Sequence, residues 1–191
     1  MSESDKVLVR KAQDGDRAAF EELVRRTSRL AYARLYLETG DAHRAEDLLQ
    51  ETLLLAYRSI GQLTEPGNFR GWLLTIAQNV VTDAARREAR LKRAAPPRAT
   101  TPLAAVPANA PPPEEQAQRA ELRQRVLTVL RSLPEEYRLP LTLRYIVGAD
   151  YETISTQLGL SNGSLRGLLH RGLKMLRAQL PAELASKNAE P

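Results

Sequence analysis

The sequence predicts an all-α fold: two small helical domains joined by a Pro/Ala-rich flexible linker. Three observations carry that prediction. Apolar residues recur with helical period on both sides of position 94, and no stretch shows the alternation of a half-buried strand. Seven of the twelve prolines fall between Ala94 and Ala117, among Ala and Thr and only three charged residues, a composition that suits a semi-extended tether. The stretch Tyr151 to Leu180 reads as a short helix, a tight turn and a longer basic helix. With 191 residues there is room for two modest cores, and 42% hydrophobic with 27% charged residues is a globular composition. The resulting division is a first domain over 1–93, a linker over 94–117, a second domain over 118–180 and a frayed tail over 181–191. At roughly 3 Å per residue the linker reaches on the order of 70 Å, so its ends need not touch.

In the first domain a short helix over Asp5 to Gln13 precedes one over Arg17 to Leu37, whose inward residues are Phe20, Val24, Ala31 and Leu35. Asp41 is placed to cap a third helix, Ala42 to Ile60, with Ala45, Leu48, Leu49, Leu53, Ala56 and Ile60 on its buried face. The turn Pro66-Gly67-Asn68 leads to a fourth helix, Phe69 to about Arg93, with Phe69, Leu73, Ile76 and Val80 inward. Phe69 and Trp72 are expected to anchor its start in the core rather than to stack on bases.

The second domain opens with a helix near Gln118 to Leu130. Another begins at Pro134, where a proline and two acids suit a first turn, and ends by Gly148, with Pro140 inside it. In the closing pair, Ile154 and Leu158 lie one turn apart, Gly159 suits a left-handed helix end, and Ser161 suits the next N-cap. Leu165, Leu169, Leu173, Leu176 and Leu180 then repeat as one apolar face. The opposite side carries Arg166, His170, Arg171, Lys174 and Arg177, with no acidic residue between Ser161 and Leu180. Those charges alone also fit an ordinary basic solvent face. Joined to a Gly-containing turn and the small residues Ser161, Asn162, Gly163 and Ser164, they suit a helix-turn-helix whose second helix enters a major groove.

Charge is sorted into blocks. Residues 38–51 hold five acids (Glu38, Asp41, Glu46, Asp47, Glu51), while residues 83–93 hold five bases (Arg86, Arg87, Arg90, Lys92, Arg93). Asp47, Gln50, Glu51, Leu54 and Arg58 form one helical stripe opposite the core face, which suits either a solvated face or a protein-binding surface. Asn79, Thr82, Arg86 and Arg90 line another, where an amide near arginines suits nucleic-acid capture. The net charge of +5 fits a polyanionic partner. Enzyme chemistry fits poorly. The chain has no cysteine and two histidines, His43 and His170, on different sides of the linker, and no Gly-rich phosphate loop. Neither a cofactor nor a metal site is expected. No apolar run is long enough to span a membrane, so a cytoplasmic location without membrane insertion is expected.

The motifs DLLQETLLLAYRSI (Asp47 to Ile60), FRGWLLTIAQNVVTDAARR (Phe69 to Arg87), LPEEYRLPLTLRY (Leu133 to Tyr145) and YETISTQLGLSNGSLRGLLHRGLKML, taken together and in order, resemble bacterial RNA polymerase sigma factors of the extracytoplasmic-function (ECF) group. The resemblance implies a four-helix sigma-2-like domain and a helix-turn-helix sigma-4-like domain. It implies an alternative-sigma-type transcription initiation factor that binds core RNA polymerase and assists promoter melting. Asp47, Gln50, Glu51, Leu54 and Arg58 would meet the clamp helices of the large polymerase subunit. Asn79, as base-capturing asparagine, with Thr82, Arg86, Arg87 and Arg90 would hold the minus-ten element, duplex and melted. Asn162, Ser164, Arg166, Gly167, His170, Arg171 and Lys174 would read the minus-thirty-five element, and the linker would lie in the RNA path. An anti-sigma factor that covers the same faces is a further expected partner. Gln78 and Leu168 depart from the family pattern, each standing where a basic residue is usual. A stand-alone helix-turn-helix DNA-binding transcriptional regulator is the alternative reading of the chain, and a decoy that binds only an antagonist is a third.

Overall fold

The structure is a computed structural model that describes residues 3–94 and 113–180. Most of the expected linker and the expected tail lie outside the described residues. Among the described residues all regular structure is helical: α1 (Asp5–Gln13), α2 (Arg17–Thr39), α3 (Ala42–Ser59), α4 (Phe69–Ala94), α5 (Pro113–Ser132), α6 (Glu135–Tyr145), α7 (Tyr151–Leu158) and α8 (Asn162–Gln179). Short 3₁₀ turns, Ile60–Gln62 and Pro66–Asn68, join α3 to α4.

Helix starts follow local chemistry. Side-chain oxygens of Asp16, Asp41, Asp150 and Ser161 accept from the backbone N–H groups of Ala19, Arg44, Thr153 and Ser164 at 3.1, 2.8, 2.7 and 3.2 Å, each satisfying a donor that has no partner within its helix. Gly40 and Gly159 end α2 and α7 with φ of 71° and 66°, a conformation that penalises a side chain.

One boundary differs from expectation. Helix α5 starts at Pro113, inside the stretch read as linker, rather than near Gln118. A proline in a first turn gives up an N–H that has no helical partner anyway.

Helix α2 is the centre of the molecule. It packs against α1, α3 and α4 and also against α6 and α7. Leu8, Val9, Phe20, Leu23, Ile60, Phe69 and Leu73 form one core among the first four helices. Leu35, Tyr36, Ala45, Leu48, Ala77 and Val80 form a second, which also takes in Leu127 from α5. On the remaining side of α2, Leu30, Ala33 and Leu37 join Leu130, Leu133, Leu141, Leu143, Ala149, Ile154, Leu165 and Leu169 in a third core. The linker allows the two helical units to sit apart, yet here they share two cores. Burying one leucine stabilises a fold by about 1.5–3 kcal/mol.

Within the second unit α6 and α8 approach closely because of Gly172. A Cβ added there would stand 3.0 Å from Leu141 Cδ1 and 3.3 Å from Tyr137 Cβ, too tight for an ordinary contact.

Candidate functional site

The acidic stripe of α3 faces solvent. Asp47, Gln50 and Arg58 are exposed and Leu54 is 56% exposed, beside the exposed Leu55 and Tyr57. Tyr57 is not loose, since its ring meets Phe20 edge-on at 5.0 Å between centroids. Glu51 is half-buried and its two carboxylate oxygens accept from Arg87 on α4 at 2.9 and 3.1 Å. Arg44 and Glu88 make a second α3–α4 pair at 2.7 Å. The acidic helix and the basic helix end, separate blocks in the sequence, are thus side by side and joined by two ion pairs.

On α4, Asn79, Arg86 and Arg90 are exposed. Thr82 is half-buried, and its hydroxyl donates to the Gln78 carbonyl at 2.9 Å, an intrahelical tie. Arg86 stands 3.4 Å from Asp83. Phe69 is buried and Trp72 packs against that core, with ring centroids 5.8 Å apart, so both anchor the helix as expected. The amide oxygen of Gln78 accepts from Arg34 of α2 at 2.7 and 3.2 Å. A cation therefore stands next to the position where the sequence lacks one. Nothing local marks Arg34, because its partner is 44 residues away.

On α8 Arg166, His170, Arg171, Lys174 and Arg177 are exposed, while Leu165, Leu169 and Gly172 are buried. Leu168 is half-buried, so a charged side chain there would have to lie partly against protein. Asn162 and Ser164, placed at the front of the groove-reading helix by sequence, are engaged in the turn itself. Asn162 Oδ1 accepts from the Ser155 hydroxyl at 2.9 Å, and the Ser164 hydroxyl lies 2.9 Å from that of Ser161. Arg171 reaches back over Gly167, where an added Cβ would stand 3.4 Å from its Nη1.

Tyr151 is a residue that sequence reasoning passed over. The Arg144 and Arg166 guanidiniums lie 5.0 and 6.0 Å from its ring centroid, within range of a cation–π attraction. An aromatic at a helix start carries no sequence signal for that role. Just before it, the backbone N–H and hydroxyl of Thr153 hold the Asp150 carboxyl below the usual aspartate range.

Residues 20–91 match the Sigma-70 region 2 family and residues 123–176 match Sigma-70, region 4. Over 92% of its length the chain is 38% identical to the ECF RNA polymerase sigma factor SigE of Mycolicibacterium smegmatis, of which it covers 68%. The chain belongs to the ECF sigma factors. It is a transcription initiation factor rather than an enzyme, and it directs RNA polymerase to promoters through its two DNA-binding regions. Another relative is the RNA polymerase sigma factor CarQ of Myxococcus xanthus, 34% identical over 88% of this chain and 92% of that protein. Among solved structures, CnrH in complex with the cytosolic domain of CnrY is 25% identical with a TM-score of 0.47, covering 92% of this chain and 96% of that one. The region 2 match spans most of α2, all of α3 and nearly all of α4, and the region 4 match runs from α5 into α8, so each matched family has its own set of exposed side chains. Among the described residues no helix is long and apolar enough to cross a membrane, and no cluster of His, Asp or Glu could hold a metal ion.

Proposed function

We propose that this sigma factor divides its work among three faces. The α3 stripe (Asp47, Gln50, Glu51, Leu54, Arg58) binds the clamp helices of the large polymerase subunit. Asn79, Arg86, Arg87 and Arg90 on α4 capture the minus-ten element as it opens, with Thr82 supporting the helix between them. Arg166, Gly167, His170, Arg171 and Lys174 on α8 read the minus-thirty-five element, while Asn162 and Ser164 hold the turn that presents them. The observation that carries this reading is that Asp47, Gln50, Leu54 and Arg58 on α3, Asn79, Arg86, Arg87 and Arg90 on α4, and Arg166, His170, Arg171 and Lys174 on α8 are solvent-exposed on helices fixed by buried faces. Arginine suits bidentate contact with guanine edges and phosphates, and an amide such as Asn79 suits the edge of an unstacked base. Since its partners are core polymerase and promoter DNA, the protein works in the cytoplasm, and a protein antagonist that covers these faces would silence it.

Co-elution with sigma-free core polymerase tests the first assignment. The chain co-elutes, and an Asp47→Lys, Glu51→Lys double variant with unchanged helical circular dichroism does not; equal co-elution of the two would reject the α3 face. For the second, Asn79→Ala is expected to reduce permanganate reactivity of the melted region more than footprint formation. Equal loss of both would remove Asn79 from the capture role.

A further inference from the structure

The charge that α4 lacks at position 78 is supplied from α2. Arg34 donates from both Nε and Nη2 to the single amide oxygen of Gln78, at 3.2 and 2.7 Å. The neighbouring carboxylates of Glu38 and Glu135 stand farther off, at 3.5 and 3.6 Å, so the amide is the guanidinium's closest partner. A guanidinium has donors and no acceptor, so Gln78 can turn only its oxygen toward Arg34. Its nitrogen is thereby turned away. That nitrogen makes no hydrogen bond within the described residues, and the buried side-chain atoms without a partner are Arg70 Nε and Gln157 Oε1. Gln78 Nε2 therefore meets solvent.

Gln78 precedes the exposed Asn79 and lies one turn before Thr82, whose hydroxyl donates to the Gln78 backbone carbonyl at 2.9 Å. It thus sits on the flank of the α4 stripe that carries Asn79 and Arg86. We propose that Arg34 is a positioning residue for minus-ten recognition: it holds Gln78 as a donor-only side chain beside Asn79, and Gln78 gives an N–H to an acceptor on the minus-ten strand. This rests on the minus-ten role proposed above for α4. The chemistry recognised is a hydrogen-bond acceptor, supplied by a phosphate oxygen or by the acceptor edge of an unstacked base. Arg34 does not reach the strand itself. Its side chain is only 24% exposed and lies between two carboxylates, so its charge acts through the amide.

Two effects make this amide a better donor than a free glutamine. A free amide offers oxygen and nitrogen alike, whereas the fork from Arg34 commits the oxygen and leaves only N–H groups outward. A cation on the oxygen also draws density from the nitrogen, and hydrogen bonds in series strengthen one another by roughly 10–30%. The outward face accepts nothing, so it rejects the amino groups of adenine and cytosine, as a lysine or arginine would. Unlike those, it brings no mobile charge to the strand.

The test uses the full-length chain assembled with core polymerase. The probe is a fork-junction DNA with a single-stranded minus-ten element, its sequence selected by the unaltered holoenzyme from a randomised library, and affinity is read by fluorescence anisotropy. Gln78→Met keeps the side chain's length and loses both amide atoms; it is expected to weaken binding roughly three- to tenfold, the span of one hydrogen bond. Arg34→Met is expected to weaken it by a smaller factor and to cost nothing further in the Gln78→Met background. An Arg34 that served only the fold, through Glu38 and Glu135, would keep its effect in that background, and that result overturns the relay. Unchanged affinity in Gln78→Met overturns it as well. Should Arg34→Met fail to fold, Gln78→Glu decides: it keeps the tie to Arg34 but turns an acceptor outward, so it should hold its urea midpoint and bind more weakly than Gln78→Met. Binding as tight as that of the unaltered chain sinks the donor role. Asn79→Ala on the same probe separates the two levels. If it alone weakens binding, the minus-ten reading of α4 stands and the relay falls; if it and Gln78→Met are both silent, both fall. Single methylphosphonates along the minus-ten strand then identify the acceptor. One that weakens the unaltered holoenzyme but not Gln78→Met marks a phosphate, and none that does so marks a base edge.

Discussion

Helices α2 and α8 show two ways in which a helix can serve recognition. Helix α2 leaves a stripe of Ala18, Glu21, Arg25 and Arg29 in water and packs its other sides on neighbours: Phe20 and Leu23 toward α1 and α4, Leu35 and Tyr36 toward α3, Leu30 and Leu37 toward the second unit. Helix α8 buries one stripe, centred on Leu165, Leu169 and Gly172, and leaves its cations in water. The first is a scaffold that fixes what others present, and the second, on the proposed function, is a reader held from behind. The difference teaches that a helix acquires a reading face only where packing is confined to one side.

Substitutions that cut into each helix should break this contrast unequally. Leu30→Ala, at 1% exposure, removes packing from both units at once, and a loss of about 2–5 kcal/mol is expected in urea denaturation. If Leu30→Ala left the second unit's own signals unchanged, the shared core would be a contact without energetic weight. Gly172→Ala should cost about 1–3 kcal/mol by driving a methyl into Leu141 and Tyr137. It would also tilt α8 and so weaken duplex binding, measured by fluorescence anisotropy.

Arg171→Ala acts on the reading face alone. It is expected to lose about 1–3 kcal/mol of discrimination at one base step with no change in melting temperature or in co-elution with polymerase. Loss of co-elution would mean that the α8 face contacts protein rather than DNA. Asp150→Ala, which removes the cap from α7, should cost about 1 kcal/mol, read as a shift of the urea midpoint.

The smallest effect is a pH dependence confined to the scaffold. Arg25 and Arg26 hold the Glu22 carboxyl at about 2, below its ordinary 4.5. Its folded value is depressed, so the contribution is complete above pH 4.5 and fades as pH falls toward about 2. Glu22→Gln should flatten that limb of the acid unfolding curve slightly and leave stability near neutrality almost unchanged, as befits a solvated pair.

What the sequence made legible was whatever is decided within a few residues. Asp41 and Ser161 as caps, Gly159 as a left-handed end and the leucine repeat of α8 all depend on neighbours along the chain, and all stand where their chemistry puts them. The second apolar stripe of α2 was invisible as such, because Leu30, Ala33 and Leu37 find partners about a hundred residues away. The same holds for Arg34 and Gly172, whose roles exist only after two helices meet. The early start of α5 was missed because prolines at 111–113 look like tether until the last of them is recognised as a first-turn residue. For the recognition faces, residue type indicated which side chains can reach a partner. It did not indicate that Thr82, Asn162 and Ser164 would be engaged by their own backbone or turn.

Helix α8 carries no carboxylate, and that ties its grip on a duplex to the surrounding salt. On the proposed reading of α8, its exposed cations Arg166, Arg171, Lys174 and Arg177 would displace condensed counterions on meeting DNA. Four neutralised phosphates give a slope of roughly −3.6 for the logarithm of affinity against the logarithm of salt. A doubling of ionic strength would then weaken that contact roughly twelve-fold, which would make the surrounding salt a direct input to how firmly this helix holds a duplex.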